Sequence, residues 1–525
     1  MTTTTILTDE VFTGTGVSAT MIPESDIYFS DCTLGGSPFT TITITATSRE
    51  SVGLTLVADL YKGCMAKVIN NTEAAYDGTY VIKSNTGTTI TFAESIGLAS
   101  GNDIDITILS FGAPAPAPDV IIGNPNLLAD NWMGLVNTFS PPNVEVEVAQ
   151  LNLALGGSRN LGYQFKKGET VSGGSLDISM NNGSWLYYAL GDYTVSNGTA
   201  GGGTVHTLGS AGSLSGTGVA LDTTNHRLVR TIAGKEYPLS SDKTQLQQVT
   251  ENTGGYFVYN FTENNGDSLP SFAIELTYEK SGLADGNYYV GSEGTTAADA
   301  TTTPTKDIFA RVFTGCQVNS MTMNFEEGQE LKTNLDLITR RAFDAPIGYV
   351  PRRRQRPSSS LFNYHADDTN VRPYLFSGGM IQLYGQTIAR VKTGSVTISN
   401  NITPQRFIGQ SSRDMMSAHI PAQRTYDISL TLLITDTTIW DELRKEGESN
   451  GTASRLTLKF VKDLDNSTED DYIELKFNDY ITQSVTIPFP EDKGAIEAEV
   501  TLSARTLESA TYQGDWKILQ SASGI

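Results

Sequence analysis

The stretch GSLDISMNNGSWLYYALG, residues 174–191, sets the reading of this chain: an alternating strand, an Asn-rich turn, then a short amphipathic helix. Asn182 stands where it can cap that helix, and Trp185, Leu186, Ala189 and Leu190 share one face. A second stretch, GSVTISNNITPQRFIGQ (394–410), repeats the Gly-Ser start, the alternation and the Asn-rich turn. In the same way FAIELTYEK (272–280) answers to YDISLTLLITD (426–436). Two divergent copies of one sheet module point to a part for building something repetitive.

Composition agrees with sheets. The 525 residues exceed what one core supports, and 38% hydrophobic content is ample for packed domains. Thr, Gly, Ser, Val and Ile dominate, the residues of pleated strands and tight turns. The expected fold is all-β with short helices. A net charge of −22 excludes binding to nucleic acid through phosphate neutralisation, which needs clustered Lys and Arg. Cys32, Cys64 and Cys316 lie far apart without a CxxC pair, so they read as buried free thiols, with a Cys32–Cys64 pair open only in an oxidising compartment. MTTTTILTDEVF lacks the basic and apolar regions of a signal peptide, and no apolar run nears the ~20 residues that span a bilayer. The chain is expected to be made in the cytoplasm.

Six domain-scale segments and a tail follow from texture. Residues 1–40, Thr-rich with Pro23 and Pro38 as breakers, read as an N-terminal arm, extended or with a few edge strands. Residues 41–111, with TTITITAT, SVGLTLVAD, CMAKVIN, GTYVIKS, TTITFAES and IDITILS, read as a small β-barrel. GAPAPAPD (112–119) is a stiff tether that should hold the barrel away from the rest, within a linker and extended arm at 112–158. There a short helix is expected around Leu127–Val136 and a long strand at VEVEVAQLNLAL (144–155). Residues 159–343 form a first unit and 376–510 a second, with a helix at TTIWDELRKEG (437–447). Between them, 344–375 is a connector carrying the basic run VPRRRQRPSSS, and 511–525 is a tail.

Chemistry is sparse. His206, His226, His365 and His419 have no partner at a metal-ligand spacing and read as exposed turn histidines. There is no G-x-S-x-G elbow, Walker motif or H-E-x-x-H. DLDNSTEDDY (463–472) lacks the sixth-position Gly and twelfth-position Glu of a calcium loop and reads as a polar hairpin tip. No catalytic residue, metal or cofactor is expected. A glycan-cleaving enzyme would need convergent carboxylates and exposed aromatics that nothing here marks. The run Arg352, Arg353, Arg354 and Arg356 reads as a solvated linker, a DNA contact or a salt-bridging arm, and in a chain at −22 an acidic copy of the same chain is the better partner than DNA. Arg413 and Asp414, in the polar loop 401–424, are further candidates for contacts between subunits.

The second unit resembles a phage tail tube protein: GSVTISNN, then a loop with SSRD, then ISLTLLITDTTIWDEL, then RLTLKFVKD through TLSART. The first unit, FKKGETVSGGSLDISMNNGSWLYYALG with RVFTGCQVNSMTMNFEEGQELKTNLDLITRRAF, looks like its matching half, and the likeness covers roughly 159–510. This resemblance implies two tail-tube-like β-sandwich or barrel domains beside the small N-terminal β-barrel, which would be an exterior decoration. It implies self-association into stacked rings, with three copies giving pseudo-sixfold symmetry and six copies the alternative. Terminator, tip and tape-measure proteins would be neighbours, and viral DNA would pass through an acidic lumen without specific binding. A tail-tip, baseplate or surface-binding protein sharing the tube fold is the other reading.

Overall fold

Side chains alternate between core and solvent along nearly every strand, as in Ile27–Leu34, where Ile27, Phe29, Cys32 and Leu34 are buried. The computed structural model describes residues 12–24, 26–44, 56–114, 133–151, 163–197, 219–222, 227–232, 235–238, 257–264, 266, 268–280, 308–344, 372–383, 386–387, 391–405, 418–433, 455–462, 471–487 and 495–514. After β1 (Phe12–Pro23), the strands β2 (Ile27–Leu34), β3 (Thr41–Thr43), β4 (Met65–Asn70), β5 (Gly78–Asn85), β6 (Thr89–Phe92) and β7 (Asp103–Ile108) close a barrel in the order β2-β3-β6-β5-β4-β7. Ile42, Val68, Ile82, Ile90, Ile104 and Ile106 fill it, so β-branched residues supply both the pleat and the core. The barrel therefore begins at Ile27, inside the stretch expected to be an arm. No strand runs through the described end of SVGLTLVAD: Asp59 has φ 58°, and the Asn85 amide donates to the Val57 carbonyl at 2.8 Å in place of a ladder partner.

The other strands are β8 (Leu135–Ser140), β9 (Asn143–Leu151), β10 (Tyr163–Ser172), β11 (Ser175–Ser179), then helix α1 (Ser184–Leu190), β12 (Gly191–Asn197), β13 (Val219–Asp222), β14 (Arg227–Ile232), β15 (Lys235–Pro238), β16 (Phe257–Glu263), β17 (Phe272–Lys280), β18 (Ile308–Glu326), β19 (Lys332–Ile338) and β20 (Arg341–Asp344). They continue with β21 (Gly379–Leu383), β22 (Gln386–Thr387), β23 (Val391–Ser399), β24 (Thr403–Gln405), β25 (Ala418–Ile420), β26 (Thr425–Leu433), β27 (Arg455–Val461), β28 (Tyr472–Thr486) and β29 (Glu497–Gly514). One 16-stranded sheet follows the order β22-β21-β27-β28-β29-β26-β23-β18-β19-β11-β8, with β1, β12, β16, β17 and β20 branching from it. β9 and β10 form a separate hairpin, so the VEVEVAQL stretch is its first arm. The sheet folds over one core that runs from Leu176 and Trp185 to Leu475 and Val500, and Phe325 meets Phe460 across it at 5.4 Å between rings.

α1 starts one residue later than an Asn182 cap would set it: Gly183 is the N-cap, and Asn182, just before it, accepts the Ser184 N–H through Oδ1 at 2.9 Å, while Gly191 ends the helix in the left-handed conformation. Trp185, Leu186, Tyr188, Ala189 and Leu190 are buried. Leu135 and Val136, expected at the end of a helix, lie in β8, where pairing with β11 decides their conformation. The rest of that expected helix, and the one at 437–447, lie outside the described residues.

The barrel is not held away from the sheet. Ala273, Val312 and Phe343 of the sheet complete its core. Arg340, 3% exposed, donates to the Phe111 carbonyl at 3.0 Å and to the Gly63 carbonyl, with its guanidinium 4.9 Å from the Phe111 ring. Arg341 donates to the Asp59 carbonyl at 3.0 Å. Glu24 accepts from the backbone of Gly112 and Gly315, each at 2.8 Å, and from the Ser271 hydroxyl. Gly112, Ala113 and Pro114, the first residues of the expected tether, are thus part of the anchor. Arg340→Ala strands two buried carbonyls and removes a packed guanidinium; a loss of about 3 kcal/mol is expected, read as a lower melting temperature and faster proteolysis within 27–108.

All three cysteines are free and buried. His419 corrects the exposed-turn reading: it is buried on β25, with Nδ1 3.0 Å from the Gln317 Oε1 and the Phe111 ring 5.1 Å away. Gln317 spends its own Nε2 on the Leu269 carbonyl, so the neutral ring carries its proton on Nδ1. Burial, aided by nearby Arg340, pushes the imidazole down to about 4. The folded value lies below the unfolded 6.5, so the stability this site contributes is complete above pH 6.5 and is lost as pH falls through 4. That loss is about 3 kcal/mol. Denaturant melts of wild type and His419→Gln between pH 7 and 4 should show a shallower acid limb in the variant.

Candidate assembly surface

Walking along the sheet from β8, the quartet β8-β11-β19-β18 gives way at one joint to β23-β26-β29-β28. The quartets match in chain order: β8 with β23, β11 with β26, β18 with β28 and β19 with β29. Outside them β1 matches β21 and β17 matches β27, since each pair flanks β18 or β28 in the same sequence. Local irregularities coincide. β8 bulges at Asn137 against β11, and β23 bulges at Lys392 against β26. β18 bulges at Asn319 against β19, and β28 bulges at Gln483 against β29. Four residues before these last two bulges stand Gly315 and Asp479, with φ of 64° and 51°. Bulges and left-handed residues are specific backbone events, so their coincidence marks a duplication.

The duplication is aligned differently from the motif likeness. SLDIS (β11) matches SLTLL of β26, whereas LVNTFS of β8 matches RVKTGS at the start of β23, residues 390–395. FAIELTYEK (β17) matches RLTLKFV (β27). Direction decides: β11 and β23 are three steps apart in an antiparallel sheet and run oppositely, whereas the four matched pairs of the quartets are each four steps apart and run alike. The first repeat takes β1 from the expected arm and β8 and β9 from the expected linker, with the barrel inserted between β1 and β8.

The joint itself is seven residue pairs, from Ser320↔Ser399 to Glu326↔Thr393. Thr322 and Thr397 hydroxyls meet across it at 3.1 Å, and Phe325 packs where a Cβ on Gly394 would stand 2.3 Å from its ring. Asn400 donates to the carbonyls of Val318 and Ala189 at 2.9 and 3.0 Å. Arg424 holds the Asn400 side chain at 2.8 Å and the Leu190 carbonyl at 3.0 Å, a cation on the last turn of α1. The second repeat is thereby fastened to the helix of the first.

One face of both quartets covers the core; the other is polar. Asp177, Glu326, Asp336, Asp427 and Glu499 project from the polar face among Ser and Thr, with Lys332 and Lys392 as countercharges. Lys392 pairs with Glu497, and Asn319 donates to Asp336 at 2.9 Å. Such a surface repels a polyanion and offers it no cluster of donors. Among the described residues no three His, Cys, Asp or Glu side chains group around one metal position. Arg352, Arg353, Arg354, Arg356, Arg413 and Asp414 lie outside the described residues. What sequence reasoning missed are the two sheet edges and the bulges, which leave no residue-type signature.

A family model described as phage tail tube protein matches residues 101–504. The chain belongs to the phage tail tube protein family. The match takes in β7 through the middle of β29, hence the sheet quartets of both repeats, and leaves β1 and barrel strands β2–β6 outside it. A search of curated proteins finds no match to the chain. A tail tube protein is a structural component of the phage virion tail, and an all-β sheet with one polar face and one packed face suits that role.

The two left-handed positions separate the repeats experimentally. A Cβ at Gly315 would stand 2.6 Å from that of Arg340, so Gly315→Ala should cost about 2 kcal/mol or more. Asp479→Gly, at the matching position, should be neutral or gain up to about 1 kcal/mol. Chemical denaturation of the two variants checks the contrast.

Proposed function

We propose that this tail tube protein polymerises into stacked rings whose polar sheet faces line a hollow conduit for the viral genome. The observation that carries this reading is the duplicated quartet: two repeats side by side in one sheet, with one acidic hydroxyl-rich face. Three copies then give six quartets per ring and pseudo-sixfold symmetry. DNA passes along the face without specific binding, because its carboxylates outnumber its cations. Self-contacts are joined at the ends of the tube by terminator, tip and tape-measure proteins. The barrel, fastened to β17, β18 and β20 rather than to the polar face, decorates the exterior. Arg352, Arg353, Arg354, Arg356, Arg413 and Asp414 serve contacts between subunits.

Ring stacking falls to the hairpin β9–β10, which leaves the core and carries apolar side chains outward: Val146 and Val148 are 52% and 55% exposed. Exposed apolar residues clustered on a projecting element mark a surface that becomes covered. Negative-stain microscopy of the purified chain should show rings and hollow tubes, and monodisperse monomers under all conditions would sink the reading. Val146→Asp with Val148→Asp should leave the fold and single rings intact while abolishing long tubes in the same images.

A further inference from the structure

The hairpin β24–β25 stands apart from the large sheet. Its two strands pair only with each other, over Thr403↔Ile420, Pro404↔His419 and Gln405↔Ala418. Of the residues in these two strands His419 alone is buried. The root of the hairpin is narrow. Asn401, at φ 48°, donates through Nδ2 to the Gln423 carbonyl at 2.9 Å, and the Ala422 N–H donates to the Asn400 carbonyl at 3.2 Å. Just beyond the root, the Ile402 N–H donates to Asn319 Oδ1 at 2.9 Å. Ile420 and Pro421 line a cavity of about 550 Å³ together with Leu269 and Asn264, so the hairpin is not packed on that side. An element held by one buried side chain and few outside hydrogen bonds belongs to the low-stability end of a fold.

The seat of that side chain suits a neutral ring. Gln317 of β18 accepts from Nδ1 at 3.0 Å, and the Phe111 ring at the end of the barrel stands edge-on at 5.1 Å. Nε2 is buried and has no hydrogen-bond partner among the described residues. An imidazolium would carry a second N–H there with no acceptor. Pro404, opposite on β24, brings no charge. The charged group that acts on the ring is Arg340, between β19 and β20, whose guanidinium lies 4.9 Å from the same Phe111 ring. Behind Arg340, burial pushes Glu24 up to about 7 and also raises the Cys64 thiol, 3.7 Å from Nη1. Both are neutral in acid, so neither offsets a second cation beside Arg340.

We propose that the β24–β25 hairpin is an acid-released strap: protonation of His419 lifts it off the seam between barrel and sheet, about its root at Asn401 and Gln423, while sheet and barrel stay folded. The imidazolium meets Arg340 and a site without an acceptor, and it reaches water by the smallest movement available, the lift of this hairpin. The seated ring resists protonation and the lifted ring titrates freely. Opening is therefore independent of pH above the free value of 6.5 and grows more favourable as pH falls toward 4. Over that interval the opening constant rises about tenfold per pH unit. The contact between the second repeat and the barrel is thus a neutral-pH contact.

Native-state hydrogen exchange at single-residue resolution on the full chain tests the strap. Ile402, whose N–H leaves Asn319 Oδ1 when the hairpin lifts, is the reporter. Asn400, whose N–H donates to the Asn319 carbonyl at 2.8 Å on the other side of the root, is the control. After division by the intrinsic rate at each pH, exchange at Ile402 should speed up about tenfold per unit from pH 6.5 to 4, while Asn400, β26 and β7 keep their protection. His419→Asn keeps an amide donor for Gln317 and cannot become a cation, so its Ile402 profile should be flat. Histidine NMR on 13C-labelled wild type supplies a second readout, in which protonation of His419 keeps step with exchange at Ile402; it decides the matter if His419→Asn fails to seat at pH 7. A flat wild-type profile, an equal slope in a seated His419→Asn, or protection lost together across sheet and barrel overturns the strap. So does a His419 that takes up its proton while Ile402 stays protected.

Discussion

Pairing of β18 with β23 is the contact on which the rest depends. Without it the chain would be two half-sheets, each with a hydrophobic face larger than one short helix could cover. The strands that enter it are long because they serve two layers: β18 pairs with β17 and β20 over its first half and with β19 and β23 over its second. A 19-residue strand can change layers only by bending, and the left-handed Gly315 followed by the bulge at Asn319 supplies the bend. β28 solves the same problem with Asp479 and Gln483. An Asp tolerates the left-handed region better than most side chains, but no side chain would fit at Gly315, where Arg340 crosses to the barrel.

That crossing breaks the equivalence of the repeats. Arg340 follows β19 as Arg505 follows the matching part of β29; one is buried beneath the barrel, the other is exposed. The first repeat has the barrel inserted between β1 and β8, and its docking uses groups that the second repeat also possesses in part. A barrel joined through Glu24, Arg340, Arg341 and a shared core moves with the first repeat as one body. Any ring made of such chains would carry one barrel for every two repeats.

Much of this was legible beforehand. Alternation found most strands, Asn182 and the Trp185 face found the helix, and the duplication was visible as texture. The alignment of the repeats was not legible, because half-buried strands with Gly-Ser starts resemble one another and sequence likeness carries no strand direction. β1 and β2 hid in a Thr-rich stretch because threonine suits either face of a strand. The barrel's docking was invisible for a different reason. Its acceptors are backbone carbonyls at Gly63 and Phe111, and its donors sit in ITRRAF, where two arginines look like solvated charge. The Pro-Ala run that suggested separation has its first residues, Gly112 to Pro114, built into the anchor. The polar face carries the functional meaning of the sheet, yet its carboxylates are scattered singly over five strands and form no motif.

Fusion of two repeats into one chain has a thermodynamic consequence. Association of separate bodies costs several kcal/mol of lost freedom at every contact, by estimates that range from about 4 to 15. A joint made within the chain is formed at the effective concentration of its own partner and avoids that cost. The β18–β23 joint has a full ladder, hydroxyl contacts on the polar face and Phe325 seated on Gly394, as suits a joint that never opens. At β8 and at the distal half of β28 no such ladder continues among the described residues, and Ile481 stands 58% exposed beside the latter. Stability within the chain is therefore concentrated at the joint between the repeats, the one place where their separation would expose both hydrophobic faces.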